Sequence, residues 1–235
     1  MDSPFGSPEL WRHDDLIGVS RVFNEELAVA AYECGAFPMP AQPGQMGWYS
    51  PLQRAIIPLD GIRVSHSLRK SIRRYEIMID TAFDDVLDGC ADRRRPSGWI
   101  NRDIRRVYRR LFKRGVVHTV EAWSPSGELA GGLYGVSIGG LFAGESMFYR
   151  PGIGRDASKV ALAALAELLR RAGVEVVIHA GDYCSPFAVR ELKRLDAPMH
   201  GITGNNDGDV YQIQRAFGEI GAILESQWWE SDFAG

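Results

Sequence analysis

Residues 101–148, NRDIRRVYRRLFKRGVVHTVEAWSPSGELAGGLYGVSIGGLFAGESMF, decide the fold. Over 101–114, Ile104, Val107, Tyr108, Leu111 and Phe112 recur at helical spacing, and Arg102, Arg105, Arg106, Arg109 and Arg110 fall on the other side. The period then changes. His118–Trp123, Gly131–Ser137 and Leu141–Phe148 read as β-strands, with turns at Ser124–Gly127 and Gly139–Gly140. A helix followed by a meander predicts an α+β domain whose helix packs one face on a sheet.

Outward from this stretch the reading continues in both directions. On the N-terminal side, 24–34 predicts a helix ended by Gly35 and Pro38, and 41–51 a Gly/Pro loop carrying Trp48, Tyr49 and Pro51. Then come a basic helix over 65–74, a strand at Ile77–Ile79 and a helix over 82–90. On the C-terminal side, 158–172 is an Ala/Leu-rich helix ending at Gly173. Beyond it a strand at 174–180, a helix at 187–195, a strand at 199–203 and a helix at 210–220 give a βαβα rhythm.

The chain has 235 residues and a formal net charge of −3, with ordinary apolar and charged fractions of 45% and 24%. No stretch is apolar and long enough to span a bilayer, and the first residues lack a secretory h-region. Cys34, Cys90 and Cys184 are far apart and fit a reducing cytoplasm. The positive charge is concentrated in two runs: Arg63, Arg69, Lys70, Arg73 and Arg74, then Arg93 to Arg114, which only Asp103 interrupts. Such runs point to a polyanion met at one face, or to a plain solvated helix face.

The segments GWYSP (47–51), GWI (98–100), HTVEAW (118–123), GGLYG (131–135), LFAGESMF (141–148) and DASK (156–159), with YECGAFP (32–38) and AFDDVLDGC (82–90), occur in order. Together they resemble the leucyl/phenylalanyl-tRNA–protein transferase family over about residues 10–172. The resemblance implies a cytoplasmic enzyme without a cofactor. It would move leucine or phenylalanine from its tRNA to proteins with an N-terminal Lys or Arg, which marks them for degradation. It also implies a small N-terminal domain, here 1–60, and an acyl-CoA N-acetyltransferase-like domain, here 61–173. Glu145, beside Gly144, is expected to face the amino group of the aminoacyl moiety. A carboxylate suits that cation. Leu133, Phe142, Leu162 and Leu165 are expected to line the pocket for its side chain, unless they are plain core. Trp99 is expected near the terminal adenosine. A second family aromatic is replaced by Met39. Arg69, Lys70, Arg73, Arg102, Arg105, Arg106 and Arg109 would hold tRNA phosphates without reading sequence.

The resemblance stops at the 158–172 helix. The Asp-x-Gln that the family carries on the next strand is absent. VVIHAGD (176–182) stands there, with His179 and Gly181 at about those positions. Residues 174–235 instead resemble a fragment of a calcineurin-like metallophosphoesterase, through VIHAGDYCSPFAVRELKRL, GITGNNDGD and QRAFGEIGA. By that resemblance Asp182 and Asn205 would be metal ligands, for manganese or another divalent ion. Two ligands are too few for a dinuclear site. Three functions remain: the transferase, a metal-dependent phosphodiesterase fragment, and a non-catalytic tRNA-binding protein.

Overall fold

The computed structural model describes residues 3–11, 15–51, 55–58, 66–92, 98–139, 141–171, 176–179, 200–201, 215, 219 and 223–224. After a short 3₁₀ turn at Pro8–Leu10 come β1 (Leu16–Ser20), α1 (Glu25–Glu33), β2 (Phe37–Pro40), β3 (Met46–Tyr49), β4 (Ala55–Pro58), α2 (His66–Ile72) and β5 (Glu76–Ile79). There follow α3 (Phe83–Cys90), α4 (Arg102–Lys113), β6 (Val117–Trp123), β7 (Leu129–Ile138), β8 (Leu141–Tyr149), α5 (Ala157–Arg171) and β9 (Val176–His179). The pair β10 (His200–Gly201) and β11 (Ile223–Leu224) completes the order.

A small antiparallel sheet, β1-β3-β2, forms the N-terminal layer. The stretch read as a Gly/Pro loop over 41–51 is therefore partly strand, because Trp48 needs a core. Its indole is 2% exposed, lies against the rings of Phe5 and Phe23, and donates to Ser20 Oγ at 2.9 Å. Burial of a Trp outweighs the local preference of flanking Gly and Pro.

The larger sheet has six strands in the order β4-β9-β8-β7-β6-β5. Only β8 and β9 run parallel, with Phe142, Ala143 and Gly144 opposite Val177, Ile178 and His179. A parallel neighbour needs a crossover, which α5 supplies. The strand expected over 174–180 thus joins the sheet that carries Glu145. It is gripped on its other side by β4, with Ala55 opposite His179. The segments read as 1–60 and 174–235 each lend a strand to this sheet.

Each face of the sheet carries its own core. Helices α1, α3 and α4 cover one face, where Tyr32, Val86, Leu87, Ile104, Tyr108 and Leu111 meet Tyr134, Val136 and Phe148. On the other face lies α5, with Ala161, Leu162 and Leu165 against Val120, Leu133 and Phe142. Helix α4 forms as its periodicity predicts. Asn101 caps it by accepting from Asp103 N and Ile104 N at 3.0 and 2.9 Å. Gly115, at φ +69°, ends it in a Schellman motif, with Val116 N donating to Leu111 O at 3.0 Å.

Of the expected tail elements, β10 falls within the strand read at 199–203, and residues 215 and 219 are helical within the helix read at 210–220. The helix read at 187–195 lies outside the described residues. Among the described residues no helix is long and apolar enough to cross a membrane.

Candidate functional site

The site is set by a defect in the sheet. Along β7 and β8 the partners run Ser137↔Phe142, Val136↔Ala143, Gly135↔Gly144, and then jump to Tyr134↔Ser146. Glu145 is the extra residue that the register skips. A bulge shifts the side-chain alternation by one and re-aims a side chain, and bulges recur next to active sites. Here it lets Phe142 and Met147, an odd number of residues apart, both meet the α5 cluster. Phe148 then turns to the opposite core.

Glu145 lies on the side of β8 that faces α1 and α4. Its carboxylate is half-buried, and Oε2 accepts from Tyr108 Oη at 3.3 Å. Tyr108 is bonded in turn to the hydroxyl of Tyr32. Both phenols are pushed well above their ordinary value, first by burial and next by the negative charge of Glu145. They stay neutral and act as donors. Neither tyrosine is visible as a site residue in the sequence. Tyr108 reads only as part of the apolar stripe of α4, and Tyr32 as part of a short motif.

Gly144 differs from the other glycines of the central strands. A Cβ added at Gly131, Gly132 or Gly135 would meet atoms at 2.7, 2.9 and 2.4 Å. Those glycines are demanded by packing. At Gly144 no described atom lies within 4 Å of that position. Gly144 is two residues on from Phe142, so the space opens on the face that carries the α5 cluster. Leu133, Phe142, Leu162 and Leu165 come together in that cluster. The structure thus gathers the four apolar residues under α5 and sets Glu145 on the other side of the same strand. Among the described residues β9 pairs with β8 as far as Gly144. Trp99 is half-buried against the α1/α4 core. Gly181, Asp182 and Asn205 lie outside the described residues, and Met39 is on β2 opposite Gly47.

The two basic runs fare differently. On α4, Arg105 pairs with Asp88, Arg106 with Asp103 at 2.9 Å and Arg109 with Asp84 at 2.8 Å. Arg110 pairs with Glu25 at 3.1 Å and Arg114, just past the helix, with Glu26 at 3.4 Å. Five arginines meet five carboxylates, so this face is close to neutral. Arg69, Lys70, Arg73 and Arg74, on α2 and just after it, make no ion pair among the described residues, nor does Arg102. Arg73 and Arg74 border a hollow of about 400 Å³ with Tyr75, Met78 and Trp123, on the β5 side of the sheet and apart from Glu145.

No group of three or more His, Cys, Asp or Glu side chains that could hold a metal ion occurs among the described residues.

The leucyl/phenylalanyl-tRNA protein transferase family model matches residues 56–182, and that of the family's N-terminal domain matches 23–52. The model of the calcineurin-like phosphoesterase superfamily domain matches 157–229, overlapping the first over 157–182. A leucyl/phenylalanyl-tRNA–protein transferase of Herpetosiphon aurantiacus is 45% identical over 162 residues, which are 68% of this chain and 81% of that protein. One of Afipia carboxidovorans is 49% identical over 150 residues, 61% of this chain and 64% of that protein. Among solved structures, the L-PGS of Bacillus licheniformis gives a TM-score of 0.37 at 14% identity, over 79% of this chain and 53% of that one. A GCN5-related N-acetyltransferase of Sphaerobacter thermophilus gives 0.36 at 18%, over 72% and 53%.

Proposed function

The chain belongs to the leucyl/phenylalanyl-tRNA protein transferase family, and from that premise we propose that it transfers leucine or phenylalanine from aminoacyl-tRNA to the N-terminus of proteins that begin with Lys or Arg. The observation that carries this reading is Glu145, re-aimed by the bulge in β8 and backed by Tyr108, beside Gly144, where no described atom lies within 4 Å of an added Cβ. An aminoacyl ester placed there can send its side chain to the apolar face beside Gly144. Its ammonium group meets the Glu145 carboxylate. An ion-paired hydrogen bond of this kind contributes about 1.5–3 kcal/mol.

The reaction is an acyl transfer. The acceptor's α-amino nitrogen attacks the ester carbonyl, the carbon–oxygen bond to the ribose breaks, and the ribose hydroxyl leaves with a proton. Orientation of the ester against the incoming amine is the main contribution such a site makes without covalent catalysis. Half-buried Trp99 is the aromatic on which the terminal adenine would stack, and stacking contributes about 1–3 kcal/mol.

The tRNA grip falls on Arg69, Lys70 and Arg73 of the α2 region, joined by Arg102. Phosphates are attracted by net charge, and the α4 face with Arg105, Arg106 and Arg109 has little to offer. The chain divides at about residues 60 and 173 into an N-terminal domain, an acetyltransferase-like domain and a phosphoesterase-like segment, with β4 and β9 crossing those boundaries to join one sheet, and the cytoplasm is its place of action.

The phosphoesterase-like stretch supports no mechanistic step, because Asp182 and Asn205 are too few ligands for a dinuclear metal site.

Leucyl-tRNA charged with radiolabelled leucine and a peptide with N-terminal Arg test the proposal. Labelled peptide is the expected product. If no product forms and the protein does not protect the ester from hydrolysis, both the transfer and the aminoacyl-tRNA binding are wrong. Ester protection without product would leave a tRNA-binding protein that does not turn over.

A further inference from the structure

We propose that Tyr32 and Tyr108 are positioning residues for Glu145, a hydrogen-bonded phenol chain that makes the site selective for a donor whose α-amino group is free. The inference rests on the reading of Glu145 as the partner of that amino group.

Three tyrosines from three elements converge behind the carboxylate: Tyr32 of α1, Tyr108 of α4 and Tyr134 of β7, at 4%, 0% and 0% exposure. Tyr32 Oη is bonded to Tyr108 Oη, and Tyr108 Oη to Glu145 Oε2. Proton counting fixes the direction. An ionised carboxylate can only accept, so the single hydroxyl proton of Tyr108 goes to Glu145. Tyr108 then has only lone pairs for Tyr32, so Tyr32 donates to Tyr108 or, being itself within reach of the carboxylate, to Glu145. Either way the donors point towards the negative charge.

Such a chain stabilises the ionised form of Glu145 and holds its rotamer from behind. A bulged residue needs that support, because the sheet ladder does not fix it. Its two tyrosines come from helices on either side of residues 41–51. A free α-ammonium supplies charge and donors to the held carboxylate. An N-acetylated aminoacyl group is neutral and bulkier and gains neither.

Tyr134 provides the control. Its ring stands edge-on to that of Tyr108, with centroids 5.7 Å apart and planes at 86°. Its hydroxyl is buried and has no hydrogen-bond partner among the described residues. It shares the core with the other two and is outside the chain.

The experiment compares the wild-type protein with Tyr32→Phe, Tyr108→Phe and Tyr134→Phe. For each, affinity is measured for leucyl-tRNA and for N-acetyl-leucyl-tRNA by protection of the ester, and thermal unfolding is recorded. Wild type is expected to prefer the free amine. Tyr108→Phe should reduce the preference about tenfold, Tyr32→Phe about threefold, and Tyr134→Phe should leave it unchanged. A merely structural role would shift unfolding and leave the ratio of the two affinities where it was. The proposal is overturned if Tyr108→Phe keeps the wild-type ratio, or if Tyr134→Phe loses as much as Tyr108→Phe. Wild-type binding of leucyl-tRNA without preference for the free amine would remove the role of Glu145, and this chain with it. Absence of any preference for charged over uncharged tRNA would instead reject the transferase reading itself.

Discussion

Two glutamates in one sheet are used in opposite ways. Glu121, on β6, is 0% exposed. Its oxygens accept from Thr81 N at 3.0 Å, Ala82 N at 2.9 Å and Thr119 Oγ1 at 2.7 Å, from the hydroxyl of Thr81, and from Trp123 Nε1 at 3.4 Å. These donors gather at the start of α3, whose N-cap residue Ala82 offers no side chain of its own to cap it. A strand residue does the work of a cap, and its charge suits the positive end of the helix. Glu145, on β8, is half-buried, pushed out of the ladder by a bulge and held from behind by a tyrosine. A carboxylate surrounded by donors of its own fold is spent on the fold. One that is half-buried, re-aimed by a bulge and supported from inside can serve a ligand.

Replacing Glu121 tests the first half of the contrast and should have the largest effect. Glu121→Ala strands several buried donors, each costing about 1–3 kcal/mol. The loss should be at least about 3 kcal/mol, a drop in thermal midpoint of about 6–12 °C for a chain of this size. Transfer per folded molecule should change little. Differential scanning calorimetry and a transfer assay corrected for folded fraction check both. A midpoint within about 2 °C of wild type would mean that the network is not worth its hydrogen bonds.

Glu145→Gln tests the other half and reverses the pattern. The amide keeps the shape and can still accept from Tyr108, so the thermal midpoint should hold to within about 2 °C. Removal of the charge should weaken leucyl-tRNA, relative to uncharged tRNA, by about ten- to a hundredfold. Equal binding of leucyl-tRNA by variant and wild type would place Glu145 with Glu121 among the structural carboxylates.

The same distinction between spent and available charge extends to the arginines. Reversal of Arg69, Lys70 and Arg73 to Glu should lower the slope of log affinity for tRNA against log salt by about 2–3. Reversal of Arg105 and Arg109 should alter that slope by less than about 1, because Asp88 and Asp84 already offset them. Filter binding between low and moderate salt distinguishes the two. The reverse ranking would show that phosphates displace the carboxylates from α4, which is within reach energetically, since exposed pairs contribute only about 0–1 kcal/mol each.

Where the structure followed the sequence, one residue's pattern sufficed. The apolar stripe of α4 and the turns that join β6, β7 and β8 depend on local chemistry. The family segments supplied Glu145, Gly144 and the four apolar residues as candidates. What was not legible depended on distant partners. Met46–Tyr49 is a strand because Trp48 finds Phe5, Ser20 and Phe23, which local Gly and Pro do not reveal. The bulge at Glu145 appears only when β7 is laid against β8. The arginines of α4 read as one basic face, and all but one of their carboxylate partners come from α1 and α3, up to 88 residues away in sequence. Tyr32 and Tyr108 are 76 residues apart. Charge runs report what a segment carries, and the fold decides what is left over.

The smallest expected effect concerns a third carboxylate. Glu25 opens α1, is 8% exposed and pairs with Arg110. Burial pushes its carboxyl up from the ordinary 4.5. Hydrogen bonds from its own backbone N–H and from Arg110, with the positive charges of Arg110 and Arg106, outweigh that and leave it lowered. A folded-state value below the unfolded one means that the ionised form is the stabilising form. Its contribution is complete above the unfolded value and is lost as pH falls through the folded one. Glu25→Gln should therefore be less stable than wild type at pH 7, and the difference between the two should shrink only below about pH 4.5. Paired urea melts from pH 7 downward measure it, with other titrating groups cancelling in the difference. If the gap widened on acidification, Glu25 would be held in its neutral form by burial. It would then belong with groups that the core tolerates, rather than with Glu121, which the fold requires.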